Sequence, residues 1–146
     1  MFIEAVVCLA LNVYWEARNQ PLTGQIAVSQ VVMNRMESEY YPDNVCEVIT
    51  QGPTRPSWKN PLEEIPVRHR CQFSWYCDGK SDEPTDMQAW EQAIFVAHGV
   101  WYGKVDDQVD GSLWYHADYV TPAWASEKEI RAVHGNHIFY GWKGRE

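Results

Sequence analysis

Apolar residues recur at steps of three and four from the start of the chain, at Phe2, Val6, Leu9, Ala10, Val13 and Ala17. That period predicts a helix over 2–18 with one buried stripe. Leu9, Val13 and Glu16 share a face of it, which sets a carboxylate at the end of an aliphatic row. Asn19-Gln20-Pro21 closes this helix and opens the next, because Pro fits a helix's first turn. Over 22–36, Gly24, Ala27, Val28, Val31, Val32 and Arg35 form one stripe, and Leu22, Ile26, Ser29, Met33 and Met36 another. Apolar residues on two faces predict a central helix, buried on most sides.

Tyr41-Pro42-Asp43-Asn44 breaks the pattern, and Asp43 or Asn44 can cap a short helix over 45–51. Four prolines between Gly52 and Pro66 predict an irregular loop. Polar and aromatic residues alternate over Cys71–Tyr76 as in a short strand, with a turn at Asp78-Gly79. Thr85-Asp86-Met87-Gln88 has the form of a capping box. Met87, Trp90, Ile94, Ala97 and Trp101 follow at helical spacing toward a C-terminal cap at Gly103. Ser112–His116 and Asn136–Tyr140 read as two strands that pair with each other, and Glu127–Val133 as a helical turn. Lys104–Gly111 is acidic but lacks the closing Glu of an EF-hand, so it reads as a solvated loop. With no repeat, low-complexity run or linker, the pattern predicts a single domain over 1–146.

Composition narrows the function classes. The 146 residues are 45% hydrophobic and 22% charged, globular values, with eight Trp and eight Tyr. Rings in that number suit either an aromatic core or an open cleft that packs sugar faces. A net charge of -8 makes the chain a poor candidate for a sequence-independent nucleic-acid binder and argues against docking on anionic lipid. The one basic island, Arg55, Lys59, Arg68, His69 and Arg70, is diluted by Glu63 and Glu64 and reads as a solvated loop. Glu4 stands where a signal peptide has its basic region, so no export signal is expected; the longest apolar run is too short for membrane insertion. Four cysteines allow three full pairings. Cys8, within the first helical pattern, reads as a small buried hydrophobe, whereas Cys46, Cys71 and Cys77 lie where a disulfide is easier. Zinc is disfavoured because no tight C-x-x-C pair is present.

Three chemistries compete. Ser74 or a cysteine activated by His lacks a recognisable nucleophile motif. His116, His134 and His137 are candidate metal ligands, without the H-E-x-x-H form. The third is general acid catalysis by Glu16, since apolar neighbours raise a carboxyl pKa toward the range a proton donor needs. On the residues alone, an ion pair of Glu16 with Arg18 or Arg35 is the commoner arrangement.

Resemblance shifts that balance. Tyr14-Trp15-Glu16-Ala17-Arg18, Gly24-Gln25-x-Ala27-Val28 and Val32-Met33-Asn34-Arg35 resemble the SleB/CwlJ family of cell-wall hydrolases. Cys71-Gln72-Phe73-Ser74-Trp75, Tyr115-His116-Ala117, Pro122-x-Trp124-Ala125 and Gly135-Asn136-His137-Ile138-Phe139-Tyr140 follow in the family's order, so the likeness covers about residues 4–142. It implies a lysozyme-like α+β fold, mainly helical, with a small antiparallel sheet flanking a substrate cleft. It further implies an enzyme that cleaves the β-1,4 bond between N-acetylmuramic acid and N-acetylglucosamine of peptidoglycan; no cofactor and a monomeric state are expected. Glu16 matches the family's catalytic acid. Gln72, Phe73, Ser74, Trp75, Tyr115, His116, Trp124, His137 and Tyr140 are the expected substrate-binding residues. Where the family often reads Glu-Ala-Arg-Gly-Glu-Pro, Asn19-Gln20 stands here, leaving Glu16 as the motif's one acid. Two-carboxylate glycosidases need a partner, for which Asp43, Asp78, Asp82 and Asp118 are candidates outside any motif. A single acid suits a lytic transglycosylase. The rival readings are a non-catalytic peptidoglycan-binding module and a His-ligated metal hydrolase. The apparent lack of an export signal fits a phage endolysin freed from the host cytoplasm through a holin.

Overall fold

The structure, a computed structural model, describes residues 2–144. Its α-helices are α1 (Phe2–Ala17), α2 (Leu22–Glu37), α3 (Val45–Ile49) and α4 (Met87–Trp101). The expected stripe of α1 is buried at Leu9, Ala10, Val13 and Ala17, together with Tyr14; the Phe2 side chain lies outside the described residues. In α2, Ala27, Val28, Val31 and Val32 are fully buried and Gly24, Gln25, Ser29 and Arg35 are buried with them. This helix packs on α1, α3 and α4, as its two apolar faces require.

The cap of α4 is Asp86 rather than Thr85. Its side chain accepts from the Ala89 N–H, while the backbone N–H groups of Thr85 and Asp86 both donate to the Tyr14 hydroxyl. The buried row of α4 is Ala93, Val96, Ala97 and Val100, and Met87 and Ile94 of the expected stripe are exposed. Small residues at the contact let α4 lie close against α1.

A three-stranded antiparallel sheet in the order β3-β5-β4 packs against the helices, with β3 at Trp114–Ala117, β4 at Glu129–His134 and β5 at His137–Gly141. The expected pairing of the two strands holds, with Tyr115 opposite Phe139 and Ala117 opposite His137. The expected helical turn over Glu127–Val133 is instead mostly β4, which fills the second edge of β5, preceded by a 3-10 turn over Ala123–Glu127. Phe139 and Val109 join Ala17, Ala27, Val28 and Val31 in a second core, so the sheet closes over the junction of α1 and α2.

Three further expectations are corrected. The proline-rich segment is a hairpin of β1 (Thr54–Pro56) and β2 (Glu64–Pro66), because prolines at the ends of exposed strands leave the pairing donors intact. Cys71–Tyr76 is no strand: Ser74–Cys77 is a 3-10 turn, and Cys71 is bonded to Cys77 with Cα atoms 6.1 Å apart. Six residues fully extended would span about 20 Å, so that bond and a strand are incompatible. Cys8 is half-buried and bonded to Cys46, tying α1 to α3, rather than a free hydrophobe. No helix among the described residues is long and apolar enough to cross a membrane.

Candidate active site

Glu16 sits in the last turn of α1, opposite β3. Its Oε1 accepts a short hydrogen bond from the Tyr115 hydroxyl. The side chain keeps only part of its surface open, and burial raises its pKa above the usual carboxylate range. The Tyr115 hydrogen bond and, more weakly, the Arg35 charge oppose that rise without cancelling it. Burial pushes the Tyr115 phenol well above its ordinary value, and the Glu16 charge and hydrogen bond add to this, so Tyr115 stays a proton donor.

Arg35, in the last turn of α2, is 5% exposed. Its Nε–H donates to the Leu113 carbonyl at 2.7 Å, and its neighbour Asn34 donates to the Ser112 carbonyl at 3.0 Å. These two bonds hold the start of β3 against α2. The Arg35 guanidinium lies 5.0 Å from the Tyr41 ring and 5.3 Å from the Phe73 ring. Its Nη1 is buried without a partner. Neither of the expected ion pairs of Glu16 forms: among the described residues the one ion pair joins Arg131 to Glu129. Arg18 instead donates to the Tyr14 carbonyl and covers the Tyr14 and Trp15 rings.

Two cavities meet at Glu16. The larger, about 310 Å³, is polar, with Arg18, Asn19, Gln20, Asn136 and His137 around Glu16. The smaller, about 170 Å³, is lined by Glu16, Arg35, Gln72, Phe73, Tyr115 and Trp124, with Trp114 at its side. Glu16 is the one carboxylate in either lining. Asp43 borders a separate cavity of about 280 Å³ beside Cys46, and Asp78, Asp82 and Asp118 line neither of the two at Glu16. His137 is 8% exposed and its Nδ1 is buried without a partner. Burial lowers its pKa; Asp118 opposes this and His116 adds to it, so the ring is neutral near pH 7.

The expected site residues therefore divide. Gln72, Phe73, Tyr115 and Trp124 share the smaller cavity with Glu16, and His137 shares the larger. Ser74 is exposed and lines neither. Trp75 is a core residue, 8% exposed, whose indole N–H donates to Asn12 at 2.8 Å, so its ring is not free to meet a sugar. His116 and Tyr140 are bonded to each other at 2.8 Å with stacked rings, and Trp124 abuts both. Strand alternation explains the division. Tyr115, His137 and Phe139 contact one another on the sheet face toward Glu16, and His116 and Tyr140 point to the reverse face. As for metal ligands, His116 uses both ring nitrogens in hydrogen bonds, His134 Nε2 is bonded to the Gln108 carbonyl, and no three His, Cys, Asp or Glu side chains among the described residues converge.

Sequence reading missed Arg35 and Gln20 as parts of the site. The Gln20 Oε1 accepts from the Asn136 N–H at 2.8 Å, which pins the β4–β5 turn to the α1–α2 junction. Gly135 in that turn has φ of 57°, and a Cβ there would collide with the Gln20 side chain. An amide at position 20 supplies this acceptor without adding charge beside Glu16.

A model of the cell wall hydrolase family matches residues 19–140, beginning just after Glu16. The spore cortex-lytic enzyme of Halalkalibacterium halodurans is 31% identical over 133 residues, which are 90% of this chain and 33% of that protein. That of Oceanobacillus iheyensis is 29% identical over 133 residues, 90% and 39% of the two chains. The chain thus spans about a third of the length of the curated relatives it matches. In three dimensions it is similar to the catalytic domain of the Bacillus cereus SleB protein, with a TM-score of 0.65 and 23% identity over 94% of this chain and 89% of that one. The catalytic domain of the germination-specific lytic transglycosylase SleB from Bacillus anthracis matches with the same TM-score and 24% identity, over 94% and 93%. These likenesses bear out the α+β fold and the resemblance to the cell wall hydrolase family.

Proposed function

Because the chain belongs to the cell wall hydrolase family, we propose that it cleaves the glycan strand of peptidoglycan at the β-1,4 bond between N-acetylmuramic acid and N-acetylglucosamine. In this reading it is a lytic transglycosylase with Glu16 as its single acid and base. One observation carries the reading: the two cavities hold one carboxyl between them, and burial raises its pKa.

The glycan lies across Glu16, with one sugar in each cavity. Glu16 in its acid form gives its proton to the glycosidic oxygen as the bond from that oxygen to the muramic acid C1 breaks. The carboxylate so formed removes the proton of the muramic acid 6-hydroxyl as O6 closes on C1. The product carries a 1,6-anhydro ring, the proton is back on Glu16, and no water is consumed. A second carboxylate is unnecessary because the nucleophile belongs to the substrate. Trp124 offers its ring to the sugar in the smaller cavity, and Asn19, Asn136 and His137 offer polar atoms in the larger. A monomer that acts on the wall without a cofactor completes the reading.

Glu16→Gln on purified murein, with product masses, tests it. The expected loss of rate is about 10²–10⁴-fold, the usual contribution of a positioned acid. Anhydro ends, one water lighter than reducing ends, are expected from the wild type. Full activity in Glu16→Gln would discard the mechanism, and reducing ends would make the enzyme a hydrolase. Tight murein binding without turnover would make it a binding module.

A further inference from the structure

We propose that Arg35 is a positioning residue for the acid: it is the resident counter-charge of the carboxylate that Glu16 becomes on giving up its proton. This rests on the reading of Glu16 as the proton donor. The observation behind it is a buried cation without an anion. Arg35 is 5% exposed, one hydrogen bond and two ring faces satisfy part of its guanidinium, and Nη1 has no partner. A buried charge so placed is costly unless an opposite charge answers it. The carboxyl that shares its cavity is Glu16, beyond ion-pair contact yet within reach of its field. Nη1 is sealed from solvent, so an anion arriving with the substrate does not reach it without the site opening.

The separation is what makes the arrangement useful. A cation in direct contact would hold Glu16 as a carboxylate and leave no proton to donate. A cation set back in the same cavity leaves the acid the raised proton affinity that burial gives it, then stabilises the charge as the proton leaves for the glycosidic oxygen. No proton moves on Arg35. The other groups facing Glu16 cannot take this part. Tyr115 of β3 is a neutral donor, and His137 of β5, which faces Asp118, is neutral near pH 7. Arg18 of α1 is engaged with the Tyr14 carbonyl and two rings. Gln72 carries no charge.

The test pairs Arg35→Gln with Arg35→citrulline, which keeps the Nε–H donor and the shape but not the charge. Either change should raise the Glu16 proton affinity. The alkaline limb of the rate on murein should therefore move up by about one pH unit. The maximal rate should fall roughly tenfold. Arg35→Lys, which keeps the charge, should hold the limb near the wild-type position. Asn34→Ala removes the neighbouring anchor without altering charge and should leave the limb in place. Carboxyl ¹³C titration of Glu16 without substrate gives the same answer independently of turnover. An upward shift in the citrulline protein supports the proposal even if murein proves not to be the substrate. An unshifted titration overturns it, whatever the loss of rate, and leaves Arg35 as a packing residue. A loss of rate found only on glycan with a free lactyl carboxylate overturns it too, since Arg35 would then hold the substrate.

Discussion

On the sheet face turned toward α1, polar groups are held away from their ordinary states. Glu16 holds its proton above the usual range, Tyr115 is a buried donor to it, and His137 keeps an unpartnered Nδ1. On the reverse face, one residue along the same strands, every comparable group is satisfied. His116 is bonded through both ring nitrogens, to Tyr140 and to the Ala117 carbonyl, and Lys128 lies 4.4 Å from each of the Trp114 and Trp142 rings. The strands and the residue types are the same. What differs is whether the partners are complete, and incomplete partnering is the mark of a site that expects a substrate.

Glu16→Gln probes the contrast most severely. The next largest effect comes from comparing Tyr115→Phe with Tyr140→Phe. Each removes one phenol hydroxyl from one face. Loss of the Tyr115 donor should raise the Glu16 proton affinity, move the alkaline limb of activity upward and lower the rate roughly tenfold. Loss of the Tyr140 hydroxyl leaves His116 Nε2 without its donor, at a cost of about 1 kcal/mol and roughly 3 °C in Tm, with the pH profile unchanged. Equal shifts of the pH profile in both proteins would erase the distinction between the faces.

Trp124 stands between the two, backed by His116 and Tyr140 and open to the smaller cavity. Trp124→Ala should weaken murein binding roughly tenfold while leaving the maximal rate within about twofold, as expected of a ring that packs on a sugar. Trp75→Phe is its counterpart. It should lower Tm through loss of the Asn12 bond and leave murein binding alone.

Much of this was legible in the sequence because it follows from period. The stripes of α1 and α2 and the β3–β5 pairing come from spacing, and the same period puts Glu16 beside aliphatic residues at the end of α1. What was not legible depended on non-local closure. The Cys71–Cys77 bond turns an alternating segment into a 3-10 turn, and only packing shows that Trp75 faces the core while Phe73 reaches the cavity. His116 and Tyr140 were grouped with Tyr115 by motif, although period-2 alternation places them on the reverse face. Arg35 carried a signal, a charged residue within an apolar stripe of α2; the residues alone suggest an ion pair of Glu16 with Arg18 or Arg35, and the geometry forms neither.

The smallest effect expected is on stability, and its sign separates the faces once more. The folded chain holds the Glu16 proton more tightly than an unfolded chain does, so it binds more protons at intermediate pH. Stability must then fall as pH rises from the ordinary Glu range through the raised folded value, the reverse of a salt-bridged carboxylate. Gln at position 16 still accepts from Tyr115 but never ionises. Glu16→Gln should therefore be more stable than the wild type at pH 7, read as a higher Tm. The two proteins should converge well below the ordinary Glu range, where wild-type Glu16 is protonated in both states. No such convergence is expected for Tyr140→Phe, whose hydrogen-bond loss carries no charge. Equal wild-type and Glu16→Gln stabilities at pH 7 would mean that burial is not what sets the state of this acid.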